Sequence, residues 1–303
     1  MPDPAAGPNE RMPARVVVAG DVIDDIVVVP SGEIRRDTDT PSSIRFRPGG
    51  SASNTAAWLG SLGSEVDFVG LVGADDVERH TAQFAAHGVR ARLTAHPSLP
   101  TGTIVVIVDD QQRAMLTERG ANADFDGDLV TDELLTGAAA LHLTGHTVFG
   151  REDSSSIERL VARARALGVE VAVDPGSAGY LADRGIETFQ RVFAGATVLF
   201  PSLDEGTALT GLTDPGEIAL ALGASGALVV MTMGIEGVVI AEKCVLSRVA
   251  AVTAEVTDPT GAGDAFAAGF LNEWVRSRDA VAAAAAGARV ASRSVTIVGG
   301  RPA

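Results

Sequence analysis

The sequence predicts an α/β fold: a mostly parallel central sheet covered by helices on both faces, with a small β-sheet appended as a lid. Three observations predict it. Strand-like apolar runs alternate with helical segments through the second half of the chain. Two early stretches of strand character, residues 26–47 and 93–119, interrupt that alternation. And 46% of the 303 residues are hydrophobic while only 4% are aromatic, which calls for a large core of Val, Leu, Ile and Ala.

In chain order, Val16, Val17 and Val18 form a first strand, followed by Gly20-Asp21 and a second apolar run at residues 26–29. Residues 53–62 read as a helix ending at Gly63, residues 66–69 as a short buried strand, and residues 75–87 as a helix stopped by Gly88. Residues 103–108 and 114–117 flank the polar turn Asp109-Asp110-Gln111-Gln112, a hairpin signature. Strands at 139–143, 170–173, 197–200 and 227–231 then alternate with helices at 154–167, 181–193 and 214–222. A hairpin, 238–241 with 245–249, precedes two closing helices at 262–276 and 279–293. Residues 1–14 are Pro-rich and polar and read as a flexible tail, leaving one domain over 15–303.

Charge and composition exclude several functions. The formal charge of 24 − 39 = −15 disfavours binding to nucleic acid or to an anionic membrane surface. No apolar run approaches the roughly 18 residues of a membrane span. Cys244 is the only cysteine and no Cys/His cluster has zinc spacing, which points to a cytoplasmic setting. Lys243 is the only lysine, and its Ala-Glu-Lys-Cys-Val context is not a P-loop. Phosphate binding must then rest on arginines, backbone N–H groups, helix N-termini and metal ions.

Two motifs carry chemistry. In Asp258-Pro259-Thr260-Gly261-Ala262-Gly263-Asp264 a glycine loop runs into a long apolar helix, which exposes N–H groups at the positive end of a helix dipole. Asp264, in the first turn, stands where it can take a proton from an alcohol attacking a bound phosphate. In Arg47-Pro48-Gly49-Gly50-Ser51-Ala52-Ser53-Asn54 the diglycine lets a ligand approach the backbone, and Asn54 offers a donor and an acceptor to hydroxyls. Read singly, each is also an ordinary helix start. Asp24 and Asp25 point to opposite faces of a strand and are not a paired acid and base. His142 and His146 flank a strand end without sharing a face, Asp109-Asp110 reads as a solvated tip, and Asp174-Pro175 ends a strand on the side where α/β ligands bind.

Together and in this order, the two motifs resemble the two signatures of the PfkB (ribokinase-like) carbohydrate kinase family. The likeness runs from Arg15 through nearly the whole chain. Gly20 with Asp25, Arg119-Gly120-Ala121-Asn122, the Thr-x-Gly-x-x-Gly turn at Thr232, Gly234 and Gly237, and Ser294-Val295-Thr296 with Gly299 agree with it. The resemblance implies a ribokinase-like three-layer fold and ATP-dependent phosphorylation of a hydroxymethyl group on a sugar or sugar-like molecule. It implies that Asp264 is the base, with an anion hole at Gly261, Ala262 and Gly263. It implies a substrate site at Asp25, Gly49, Gly50 and Asn54, and a nucleotide site at Thr232, Gly234, Gly237 and Glu205. Mg²⁺ is implied as cofactor, and K⁺ at Asp258, Thr260, Ser294, Ile297 and Gly299.

Three positions depart from the family pattern. Its Asn-x-x-Glu motif reads Ser202-Leu203-Asp204-Glu205 here. Ser51 and Gly145 stand where ribokinase proper carries a Lys and a ribose-binding Glu, which argues against ribose. Gly287 stands where many relatives place an adenine-edge Asn or His. A nucleoside acceptor would want an aromatic platform, for which only Phe46 and Phe149 are at hand. A nucleoside kinase of the same family and a non-catalytic ligand-binding relative are the alternative readings. A nicotinamide-dependent oxidoreductase is excluded because the glycine loop lacks the third glycine of that fingerprint. An exposed lid sheet also offers a surface for a homodimer.

Overall fold

The computed structural model describes residues 14–109, 112–148 and 153–303. Residues 1–13 of the expected tail, Asp110 and Gln111 of the expected turn, and Phe149 lie outside the described residues. The strands are β1 (Arg15–Ala19), β2 (Ile23–Pro30), β3 (Ser42–Gly49), β4 (Glu65–Gly73), β5 (Val89–His96), β6 (Gly102–Asp109), β7 (Gln112–Glu118), β8 (Ala140–Thr144), β9 (Glu170–Asp174), β10 (Val198–Leu199), β11 (Leu228–Thr232), β12 (Val238–Glu242) and β13 (Val245–Val249). Nine of them form one sheet in the order β13-β12-β11-β10-β9-β8-β1-β4-β5, parallel except for the antiparallel edge β11-β12-β13.

Alternation along the central strands builds two cores from one sheet. Val17 and Ala19, Leu141 and Leu143, Val171 and Val173, and Val229 and Met231 face one helical layer. Val16 and Val18, Ala140, Ala172, and Leu228 and Val230 face the other. Strands apolar on both faces must be covered on both, and that requirement produces the three layers. Helices Ser51–Ser61, Ala262–Ser277 and Ala280–Ser294 cover the second face. The last two pack backbone to backbone. A Cβ on Gly269 would stand 2.9 Å from Gly287 Cα, and one on Gly287 would stand 2.8 Å from the Phe266 carbonyl oxygen. Gly287 is thus a packing position, and a neighbouring cleft is lined by Ala288, Ala291 and Ser292.

The second sheet has the order β3-β2-β6-β7. Its register places Asp25 beside Ile104 and Ile104 beside Thr117, with Val106 beside Met115. These side chains share one face, which looks onto the main cleft. The opposite face carries Ile44, Phe46 and Leu116, all exposed. Phe46 is therefore no platform in the cleft.

Three expectations need correction. Residues 93–96 belong to β5, which pairs with β4 at the edge of the main sheet, so the lid's second segment begins at Gly102. Earlier in the same strand, Arg90 and Arg92 reach Asp67 along that edge. The helix expected at 181–193 is two helices broken at Gly185 (φ 86°). A helix, Leu203–Thr210, follows the Ser202 capping box and was not expected.

Gly287→Val should lower unfolding stability by about 1–3 kcal/mol through overpacking against Phe266. Denaturant titration measures this, and wild-type stability would show that the helix pair has room to separate.

Candidate active site

A cleft of about 620 Å³ opens between the carboxyl ends of the parallel strands and the inner face of the lid sheet. A second cleft of about 460 Å³ adjoins it, and the two share Thr232, Pro259, Ala262, Gly263 and Phe266. The glycine loop before helix Ala262–Ser277 is thus the partition between them. Gly261 has φ 74°, and a Cβ there would meet Gly300 Cα at 2.6 Å, so the turn admits only glycine. The Ala262 amide donates to the Pro259 carbonyl at 3.3 Å. It is therefore partly committed to the turn.

Asp264 lies in the first turn of this helix, 9% exposed. The Ser51 hydroxyl donates to its Oδ1 at 2.6 Å and Asn54 Nδ2 donates to its Oδ2 at 3.0 Å. Burial pushes the Asp264 carboxyl up to about 7, and these two donors oppose the rise. A carboxyl poised there can exchange a proton near neutral pH. Ser51, which the sequence marked only as a missing lysine, is in fact a direct partner of this carboxylate. Asn54, expected on the substrate, spends its amide on Asp264 and Arg301.

The helix that presents Ser51 and Asn54 is anchored by Asp21. Its Oδ2 accepts the Ser51 amide at 2.8 Å and its Oδ1 the Ala52 amide at 3.0 Å. The diglycine permits this close packing, and Gly50 also lines the main cleft. A Cβ on Gly50 (φ 94°) would meet the Asp21 carbonyl at 2.7 Å, and one on Gly49 would collide with the Asp25 carboxylate. Asn122 fastens the strand turn above, since its Oδ1 accepts the Val22 amide at 2.9 Å and its Nδ2 donates to the Val22 carbonyl at 2.7 Å.

Asp25 sits at the base of the lid and lines the main cleft, while Asp24 faces away and pairs with Arg79 at 2.7 Å. Burial pushes Asp25 up to about 7, Arg301 pulls against it, and the charges of Asp21, Asp24 and Asp264 add to the rise. Asp174, at the end of β9, accepts the Gly176 amide at 2.7 Å. Burial raises it well above the usual carboxylate range, reinforced by Glu205 and Asp264. Glu205 is raised by burial too, although its Oε2 accepts the Ser202 amide at 2.8 Å. Ser202 and Glu205 form a reciprocal capping box, so Ser202 supports Glu205 in place of the family's amide.

The second cleft takes Thr232, Gly234 and Gly237 from the turn after β11, with an apolar wall of Val238, Val252, Val256 and Val295. Asp258 ties the loop to the C-terminal segment. Its Oδ1 accepts the Thr260 amide and hydroxyl at 3.0 and 2.7 Å, and its Oδ2 accepts the Gly299 amide at 3.0 Å. The Ser294 carbonyl accepts the Ile297 amide at 3.2 Å beside it. The five residues expected at a cation site are therefore held on adjoining segments. His142 is buried in the sheet against Phe200, where burial holds its imidazole down to about 4. His146 lines the cleft with its ring against Tyr180, 5.3 Å between centroids.

The pfkB family carbohydrate kinase model matches residues 13–303. The chain belongs to this family. An uncharacterized sugar kinase of Archaeoglobus fulgidus is 28% identical over 80% of this chain and 96% of its own length. The bifunctional protein HldE of Shewanella amazonensis is 30% identical over 83% of this chain, which spans 53% of that relative. Adenosine kinase from Sinorhizobium meliloti superposes with a TM-score of 0.85 at 24% identity, covering 96% of both chains. Ribokinase from Thermotoga maritima superposes with a TM-score of 0.81 at 23% identity, again covering 96% of both. The fold is ribokinase-like, and the family's activity is that of kinases for small sugars and nucleosides.

Asp21, Tyr180 and Arg301 went unassigned in the sequence, whereas Asp174, the last residue of β9, was marked by the rule that ligands bind at strand carboxyl ends. Tyr180 follows β9, and the same rule was its available signal. Arg301 has none, because nothing local to Arg-Pro-Ala marks it as buried.

Ser51→Ala should raise the Asp264 pKa by removing a donor to its ionised form. The acid limb of kcat should then move from near 7 upward by about one pH unit, so that activity falls more at pH 6.5 than at pH 9. A kcat–pH profile checks this, and an unmoved limb would mean that Ser51 does not tune the carboxyl.

Proposed function

We propose that this protein transfers the γ-phosphoryl group of ATP to a hydroxymethyl group of a sugar or sugar-like acceptor, with Asp264 as the general base. One observation carries the reading: a buried, hydrogen-bonded carboxylate stands at the partition between two clefts, in the first turn of a helix. The nucleotide lies in the second cleft along Thr232, Gly234 and Gly237, its base against the apolar wall. Its terminal phosphate reaches the Gly261 and Gly263 amides. The acceptor lies in the main cleft, where Asp25 binds a hydroxyl. Asn54 contributes by orienting Asp264, and Gly49 and Gly50 by letting Asp25 and Asp21 come close. Asp264 takes the proton from the attacking hydroxyl as its oxygen closes on phosphorus.

Mg²⁺ fits this site on the chemistry of the donor set. The Glu205 charge raises the affinity of Asp174 for positive charge, and the one lysine of the chain, Lys243, lines neither cleft. Mg²⁺ supplies charge neutralisation between the nucleotide's phosphates, and Asp174 and Glu205 would hold it through water. K⁺ at Asp258, Thr260, Ser294, Ile297 and Gly299 belongs to the same proposal, supported by the carboxylate and carbonyls gathered behind the loop. The apolar inner lid face, Ile104, Val106 and Met115, is set to cover the acceptor and keep water from the transfer. The opposite lid face, with Ile44, Phe46 and Leu116 exposed, supports a homodimer.

A nucleoside acceptor is the second reading. Tyr180 and Phe200 line the main cleft opposite the apolar lid residues, which gives a base the flat apolar surroundings that the sequence did not reveal.

A panel of sugars and nucleosides, assayed for ADP release with ATP and Mg²⁺, tests the proposal. One acceptor class should stimulate release, chelation of the metal should abolish it, and Asp25→Ala should raise the acceptor KM by roughly 5–150-fold while leaving the ATP KM unchanged. ADP release indifferent to every acceptor, or an equal rise in both KM values, would contradict it.

A further inference from the structure

The last residues of the chain carry a buried cation to which the transfer step assigns no role. Arg301 is 6% exposed. Its Nε donates to Asn54 Oδ1 at 3.4 Å, and its Nη2 donates to the Gly49 carbonyl at 3.2 Å. The guanidinium lies over the Phe84 ring, 5.0 Å from the centroid. Nη1 has no hydrogen-bond partner, and among the described residues Arg301 forms no ion pair. Burial lowers its pKa to about 10, while Asp25, Asp24 and Asp21 favour its charge from a distance.

Stability alone does not call for a charge in this place. A guanidinium removed from water without a bonded carboxylate is costly, and a hydrophobic residue of similar volume over Phe84 would be neutral or stabilising. What the charge does is directional. The Asn54 amide can present either its oxygen or its nitrogen to Asp264. With Nδ2 toward the Asp264 carboxylate, Oδ1 faces the Arg301 Nε–H, and both contacts attract. With the amide reversed, an oxygen would face a carboxylate and an NH₂ would face a guanidinium, and both would repel. Arg301 therefore selects the one rotamer that holds the base.

The path of the chain delivers Arg301 to this spot. Gly300 passes between the two signature motifs. Its carbonyl accepts from Trp58 Nε1 at 2.9 Å, a Cβ on it would collide with the Asn54 amide, and Gly261 packs against its Cα. The Gly49 carbonyl, bound by Nη2, belongs to the residue on which the Asp25 carboxylate rests. One guanidinium thus braces the partner of the base and the floor of the acceptor carboxylate.

We propose that Arg301 is a positioning residue for phosphoryl transfer, locking the Asn54 amide that holds Asp264 and the Gly49 backbone beneath Asp25. The proposal rests on the reading of Asp264 as the base. The test compares Arg301→Met, Arg301→Lys and Asp264→Ala in steady-state kinetics and thermal unfolding. Arg301→Met should keep or raise Tm, lower kcat by about 10–100-fold, and leave the ATP KM within about twofold, since misplacement of a reacting group by about 1 Å is sufficient for such a loss. Arg301→Lys keeps the charge but replaces the rigid fork that spans Gly49 and Asn54 with one ammonium on a flexible stem, so its kcat should fall between those of Arg301→Met and wild type.

A folded Arg301→Met protein with kcat within about threefold of wild type overturns the proposal. So does a matching rise in the ATP KM, which would signal general damage. If Met at this position prevents folding, Arg301→Lys decides: a kcat at least about threefold below wild type with unchanged ATP KM supports positioning, and wild-type kcat overturns it. Asp264→Ala separates the two readings. Its full activity would sink the assignment of the base, whereas its inactivity beside an unaffected Arg301→Met would sink only the role of Arg301.

Discussion

Burial of the Asp264 carboxylate is the constraint on which the rest of the site depends. A carboxylate removed from water is pushed toward its neutral form, and only donors aimed at its oxygens keep ionisation within reach at neutral pH. Ser51 and Asn54 are those donors, and both lie on a helix more than two hundred residues away in sequence. That helix must start at one place and point in one direction. Asp21 fixes its first amides, Gly49 and Gly50 let Asp25 and Asp21 pack against its start, and Gly261 and Gly300 let the loop and the chain end close in from the other side. Each of these glycines makes room for a neighbouring backbone or carboxylate. They serve the carboxylate by permitting contacts between distant segments.

The same constraint accounts for the electrostatic character of the clefts. Asp21, Asp25, Asp174, Glu205 and Asp264 converge in a protein of net charge −15 with one lysine. Three of them are raised by burial and by one another's charge. Such a site is short of positive charge. Arg119 lines the main cleft and Arg301 stands buried behind Asn54 and Gly49, and on the proposed function the remaining neutralisation would come from a metal ion bound with the nucleotide.

Much of this was legible in the sequence. The layers were, because strands apolar on both faces read as continuous Val, Leu and Ile runs bounded by helical periodicity. Asp264 and the glycine loop were, because a diglycine turn leading into an apolar helix is a local pattern. Asp24 and Asp25 were told apart by strand alternation alone. The rest depended on contacts between distant segments. Ser51 looked like a loss when compared with a relative's lysine, since a serine hydroxyl carries no sign of its partner. Gly287 looked like a missing nucleotide contact, whereas it is where two helices touch. Residues 93–96 looked like lid because they share the strand character of the hairpin that follows, and their pairing with β4 is a contact that only tertiary structure defines. Arg301 was invisible, third from last in the sequence and buried by a chain path that only tertiary structure defines.

The central claim is that a buried carboxylate at the partition accepts the proton of the attacking alcohol. Its most direct test is the turnover of Asp264→Asn, which keeps the side chain's shape and removes its basicity, measured beside ATP affinity on the same protein. The account predicts a loss of roughly 10²–10⁴-fold in kcat with ATP affinity nearly unchanged. Retention of more than about a third of wild-type kcat would contradict it, because a group so dispensable is not the base.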